Sequence, residues 1–277
     1  MRPIASDDRW DLPVRLLGGL HHLVLDGRMA GWSWHEVHGA LERQDDWLAR
    51  FVAEQPVQTN EVQRCWALLP AFLSLGDGRP LELIELGASA GLNLVWDRYR
   101  YVYGAGTWGG GTLMLAGEER TPVPAGLLEA RPVVTRRRGI DLRPRDPADD
   151  DDVRLLECFV WPDQAERMAR LRAALAIARF DPPEILAGDY VDLLPTLLAG
   201  RDPHARTVVF QTVSTVYLDA ERYADLRRIV DAADVAWIST RRFSEEETGL
   251  EGGFELETGT RLVARMGYHG QWLEWRA

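Results

Sequence analysis

Apolar residues recur every three or four positions through the first part of the chain: Leu16, Leu20 and Leu23, then Trp34, Val37, Leu41, Leu48 and Phe51, then Val62, Trp66, Leu69 and Leu73. Such spacing lines one face of a helix and predicts three helices, the third opening at Thr59-Asn60-Glu61 and bending at Pro70. Gly76-Asp77-Gly78-Arg79-Pro80 breaks the rhythm. It predicts a boundary, with residues 1–79 a helical cap segment and residues 80–277 a second domain.

Beyond that boundary short β runs alternate with amphipathic helices, the pattern of a mostly parallel sheet covered on both faces. The runs are Leu81–Leu86, Val133–Leu142, Glu184–Ala187, Thr207–Val213 and Asp234–Ser239, with helices at Asp163–Arg179, Tyr190–Ala199 and Ala220–Ala233. Tyr99–Tyr103 and Thr112–Leu115 predict a β-hairpin inserted at about 99–132. Phe254–Gly267 and Gln271–Trp275 predict a closing pair of strands joined at Tyr268-His269-Gly270.

Composition then narrows the chemistry. A chain of 277 residues can bury a core without disulfide or metal staples. A formal charge of −11 disfavours a broad grip on nucleic acid or an anionic membrane. All 32 basic residues are arginine, which excludes a lysine Schiff base, a pyridoxal-phosphate anchor and a P-loop lysine. Cys65 and Cys158 are the only cysteines, too few for a disulfide framework. Met1–Asp8 lacks the apolar core of a signal peptide, and no apolar run approaches the ~20 residues of a membrane span. These features predict a cytoplasmic protein whose partner is a small molecule.

The most informative stretch is Leu83-Ile84-Glu85-Leu86-Gly87-Ala88-Ser89-Ala90-Gly91-Leu92-Asn93-Leu94, a strand, a small-residue turn and a helix start. A glycine at the strand end permits close backbone approach, and a helix N-terminus beyond it attracts an anion. Three ligand chemistries share that geometry. The first is S-adenosylmethionine, with its carboxylate at the turn and its ammonium group held by Glu85. The second is a dinucleotide, although its fingerprint wants glycines where Ser89 and Leu92 stand. The third is a hydrolase nucleophile elbow, since Gly87-Ala88-Ser89-Ala90-Gly91 fits Gly-x-Ser-x-Gly and His269 follows; but an elbow follows several strands, and everything before Leu81 reads as helix.

For a nucleoside cofactor, Asp141 at the end of the second sheet strand is placed to accept from the ribose, with Glu118 or Glu119 as competitors. Asp189 with Tyr190, after the third strand, is placed near the adenine, and Gln211 follows the fourth strand. The plain reading of both aspartates is a helix cap or turn. Asn60, Glu61 and Arg64, at one helix start, are candidates for the acceptor site, and Asn60, Glu61 and Tyr217 for catalysis; Trp161, Tyr190 and Tyr217 are weaker candidates for the pocket wall. His35-Glu36-Val37-His38 spaces its histidines three apart where a zincin needs four, so no metal is expected. Asp149–Asp152 reads as a helix entry, and two of Arg136, Arg137 and Arg138 as an exposed strand face.

Taken together, Leu20–Leu25, Gln58-Thr59-Asn60-Glu61 with Arg64, Glu85–Asn93, Asp97–Tyr101, Arg138–Pro144, Trp161–Gln164, Gly188-Asp189 and His269-Gly270 with Trp275 resemble a bacterial family, domain of unknown function 2332, whose members look like class I methyltransferases. The resemblance runs over nearly the whole chain. It implies an α/β fold with a seven-stranded Rossmann-like sheet behind a helical segment, and cofactor contacts at Glu85, Gly87, Gly91 and Asp189. Common methyltransferases carry another glycine where Ser89 stands. The function expected is S-adenosylmethionine-dependent methylation of a small molecule, or else ligand or partner binding without chemistry.

Overall fold

The computed structural model describes residues 11–244 and 251–277; the leader reading of Met1–Asp8 lies outside them. Two compact units divide the chain, one formed by residues up to Asn60 with Arg145–Arg172, the other by Glu61–Pro144 with Ala173–Ala277.

The first unit is helical. Its helices are α1 (Leu12–Leu25), α2 (Trp34–Arg43), α3 (Asp45–Glu54) and α5 (Asp150–Cys158), with the first part of α6 (Ala165–Phe180). The single long helix expected from Trp34 to Phe51 is split at Gln44, which caps both halves. Leu20, Leu23, Met29, Ala40 and Leu48 form its core, and Asp149 caps α5 by accepting from the Asp151 and Asp152 amides. On α2, His38 lies against the Trp34 ring and 3.6 Å from Glu42, an ordinary surface arrangement.

The second unit is a sheet covered by helices. Its elements are α4 (Arg64–Ser74), β1 (Leu81–Leu86), β2 (Arg100–Tyr103), β3 (Gly106–Trp108), β4 (Met114–Ala116), β5 (Glu118–Thr121), β6 (Val134–Asp141), β7 (Glu184–Ala187), α7 (Tyr190–Ala199), β8 (Arg206–Phe210), α8 (Ala220–Ala232), β9 (Ala236–Phe243), β10 (Gly253–Thr258), β11 (Arg261–Gly267) and β12 (Trp272–Trp275). The helix expected at Thr59-Asn60-Glu61 starts at Arg64 instead, capped without a side-chain bond, and Pro70 sits buried within it.

Among the described residues nine strands, two more than the expected seven, pair in the order β5-β12-β11-β10-β9-β8-β1-β6-β7. β7, β6, β1, β8 and β9 run parallel, β10 to β12 form an antiparallel meander, and β12 pairs parallel with β5. The expected terminal hairpin is therefore a three-stranded meander, because Gly259, at φ +63°, turns the chain inside the run read as one strand. In the insertion, β2 pairs antiparallel with β3 and parallel with β4, so the hairpin partner of β2 is the glycine-flanked Gly106–Trp108, while Thr112–Leu115 overlaps the parallel neighbour.

Period-two alternation divides β1 between two cores. Ile84 and Leu86 join Leu194 and Leu197 of α7 and Leu226 and Val230 of α8. On the other face Phe72 of α4 stacks on Trp96 at 4.7 Å and meets Phe210 edge-on at 5.2 Å. The arginine run does not alternate as an exposed face: Arg138 is 3% exposed against a fully buried Glu82 at 2.5 Å, Arg137 meets Asp97 at 2.6 Å, and Arg136 meets Glu184 at 3.7 Å. Among the described residues no helix is long and apolar enough to cross a membrane.

Candidate functional site

The sheet reverses its strand order at β1, which has β6 on one side and the later β8 on the other. In open α/β sheets such a point leaves a crevice beyond the carboxyl ends of the strands. The turn 87–91 stands there. The Gly87 and Ala88 amides both donate to the Ile140 carbonyl of β6, at 2.8 and 3.2 Å, and the Ser89 amide donates to Asp141 Oδ2 at 2.8 Å. Gly87, Ser89 and Gly91 take φ of +74°, +52° and +70°, a region open to glycine and costly for serine.

Glycine is required here by its neighbours as well. A Cβ on Gly91 would lie 2.9 Å from the Pro183 ring, and one on Gly139 of β6 would lie 2.5 Å from the Ala88 Cβ. Over Gly87 stands Ser214, whose Cβ would be 2.5 Å from an added Cβ and whose hydroxyl donates to the Leu86 carbonyl at 2.7 Å. Ser214 follows Val213, a β-branched residue at φ +91°, a strained conformation outside functional or over-determined settings.

Beneath the turn lies a buried polar chain. Glu85, 1% exposed, accepts at Oε1 from Asn93 Nδ2 at 2.8 Å, and Cys65 Sγ donates to Asn93 Oδ1 at 3.1 Å. Glu85 Oε2 and Ser89 Oγ are buried, and among the described residues neither has a hydrogen-bond partner. Burial pushes the Glu85 carboxyl up to about 8; the Asn93 bond opposes this and the nearby Asp141 charge adds to it. Burial, with the Glu85 and Glu61 charges, likewise holds the Cys65 thiol well above its ordinary range.

Beside this chain, the start of α4 grips the turn between β11 and β12. Gln63 Nε2 donates to the Gly270 carbonyl at 3.3 Å, Arg64 Nε donates to the Tyr268 carbonyl at 3.0 Å, and His269 Nδ1 lies 3.4 Å from the buried Glu61 Oε2.

The structure thus brings together Glu85, Gly87, Ser89, Gly91, Asn93 and Asp141, and sets Glu61 with Arg64 at the head of α4. Other expected residues have different surroundings. Asp189 caps α7 through the Val191 amide at 2.8 Å and pairs with Arg222 at 2.8 Å, so both oxygens carry structural partners. Tyr190 donates to the Ser214 carbonyl at 3.2 Å, which ties it to the segment over Gly87; burial, partly offset by that bond, pushes its hydroxyl up to about 12. Gln211 is 1% exposed and donates to the Thr240 carbonyl, while Tyr217 is 72% exposed. Asn60 and Trp161 belong to the other unit. Glu118 and Glu119 stand on β5 at the far edge of the sheet, where Glu119 accepts from the Val123 and Gly104 amides, so neither competes with Asp141 at the turn. Sequence reasoning missed Cys65 and Ser214. Both lie far from the turn in the chain, and no local spacing signals either.

These features define an α/β protein whose buried acidic site underlies the carboxyl end of the first strand of a mostly parallel sheet. The chain belongs to the bacterial family described as "Uncharacterized protein conserved in bacteria (DUF2332)", which it matches over residues 4–275. No curated protein matches it.

Proposed function

We propose that the chain is an S-adenosylmethionine-dependent methyltransferase acting on a small molecule, with a Rossmann-like cofactor site at residues 85–93 and Asp141. The observation that carries this is Glu85 Oε2, a buried carboxyl oxygen with no hydrogen-bond partner among the described residues, two residues before a glycine turn at the point where strand order reverses. An isolated buried carboxyl is costly to keep, and such groups concentrate where a ligand completes them. The residues fit a zwitterionic nucleoside. Glu85 would hold its ammonium group, and Asp141, whose two oxygens already accept from the Ser89 and Arg143 amides, would meet its ribose through their remaining lone pairs. The cofactor supplies a methyl group on a good leaving sulfur, so the protein has mainly to align the acceptor and exclude water.

Ser214 on Gly87 and the fully engaged Asp189 favour a second reading, a methyltransferase-like protein that binds its ligand without transferring a group. The hydrolase reading gains little support: Ser89 Oγ has no hydrogen-bond partner and is buried, and His269 lies against Glu61.

Titration calorimetry with S-adenosylmethionine and its demethylated product tests the proposal. Both are expected to bind at micromolar level or tighter, with Glu85→Ala weakening each by at least tenfold. Absence of heat with either ligand would overturn it, and binding without turnover across acceptor panels would select the second reading. A fluorophosphonate probe is expected to leave Ser89 unmodified.

A further inference from the structure

The helical unit holds a cavity of about 310 Å³, at the lower end of the range that binds small molecules. α3 offers it Trp47, Arg50 and Phe51, three and four positions apart on one helix face; His22 of α1, Arg28 and Asp151 of α5 complete the wall. The rings form a continuous aromatic surface, with His22 5.3 Å from Trp47 and 5.7 Å from Phe51, and Trp47 5.1 Å from Phe51.

Charge decides what could lie on that surface. Arg28 stacks over Trp47 at 4.3 Å and is matched by Asp26 at 2.5 Å, while Asp151 is matched by Arg154 at 2.6 Å. Glu54 at the rim has a contact of its own. Among the described residues the exposed Arg50 guanidinium has neither a carboxylate nor a hydrogen-bond partner. Among the described residues His22 Nδ1, buried and 3.5 Å from Asp26, has no hydrogen bond, and desolvation lowers the pKa of its ring while the Asp26 charge opposes this. An uncommitted cation beside a wall of tilted aromatic rings suits an aromatic anion. A cation would meet the unmatched Arg50 guanidinium.

We propose that this cavity binds a planar aromatic carboxylate, its ring against Trp47 and Phe51 and its charge on Arg50. This site is separate from the nucleoside site and does not depend on it.

The test is calorimetry or ligand-observed NMR on the full chain with three probes of one shape: 2-naphthoate, 2-naphthalenemethanol and 2-naphthylmethylammonium. The carboxylate is expected to bind saturably and at least tenfold more tightly than the ammonium probe. Arg50→Ala, at an exposed position that should not affect folding, is expected to weaken the carboxylate tenfold and leave the alcohol unchanged; Trp47→Ala should weaken both. Equal binding of the three probes, naphthoate binding indifferent to Arg50→Ala, or no saturable binding at millimolar concentration would overturn the proposal.

Discussion

A carboxyl sealed from water either finds a countercharge or gives up its own charge, and Glu85 does the second. With its carboxyl pushed up to about 8 by burial, it is mostly protonated near neutrality in the folded protein, against about 4.3 in an unfolded chain. The folded state therefore holds the extra proton, and the stability this gives is complete below pH about 4 and lost as pH climbs through 8. Thermal unfolding between pH 6 and 9 should show that loss, close to ~1.4 kcal/mol per pH unit at the acid end and fading above pH 8, where both states have released the proton. Glu85→Gln, which keeps the Asn93 bond in reach and cannot ionise, should flatten the slope. If an ammonium group enters beside Glu85, the proton must leave. Binding heats near pH 7 are then expected to vary with the ionisation enthalpy of the buffer, and a buffer-independent heat would count against this role. Gly91→Ala, which places a methyl 2.9 Å from Pro183 at φ +70°, is expected to cost about 1–3 kcal/mol and lower the melting temperature.

The elements around the site are braced from one side by the tyrosines before and in β2. Tyr99 and Tyr101 donate to the Leu92 and Trp96 carbonyls at 2.6 and 2.7 Å, and Tyr103 donates to the Trp66 carbonyl. The alternation of these tyrosines makes β2 legible as a strand from sequence, and the apolar run of β1 and the ends of β7 and α7 were equally plain. β3 was hidden because Gly106-Thr107-Trp108 offers one apolar side chain, and β5 because Glu118-Glu119-Arg120-Thr121 carries none. The Arg136–Arg138 run misled for a different reason: alternation assumes that charge stays outside, whereas Arg138 is sealed in against Glu82 and donates also to the Leu197 carbonyl at 3.1 Å. Removing one member strands the other. Arg138→Ala is expected to cost about 3–5 kcal/mol in denaturant unfolding, well beyond the loss at the partly exposed Arg137. The glycine turn and Glu85 were readable as a site because they are contiguous. Cys65 and Ser214 join it through tertiary contacts, which spacing along the chain does not encode.

For the whole molecule, the sheet joins a parallel half, where the order reverses at β1, to an antiparallel half that ends on β12. β5 lies beside β12, with Glu118 opposite Trp272 and the Glu118 amide bonded to the Gln271 carbonyl at 2.9 Å. That pairing joins positions more than half the chain apart. It cannot nucleate early, since the entropy of closing so long a loop falls due before the contact repays it. Pulse-labelled exchange during refolding should find the amides of β10 and β11, neighbours in sequence, sheltered before those of Glu118–Thr121. Until that late step the newly made protein carries two raw strand edges, so crowding by other half-made copies would hurt its yield more than any weakness of the finished form.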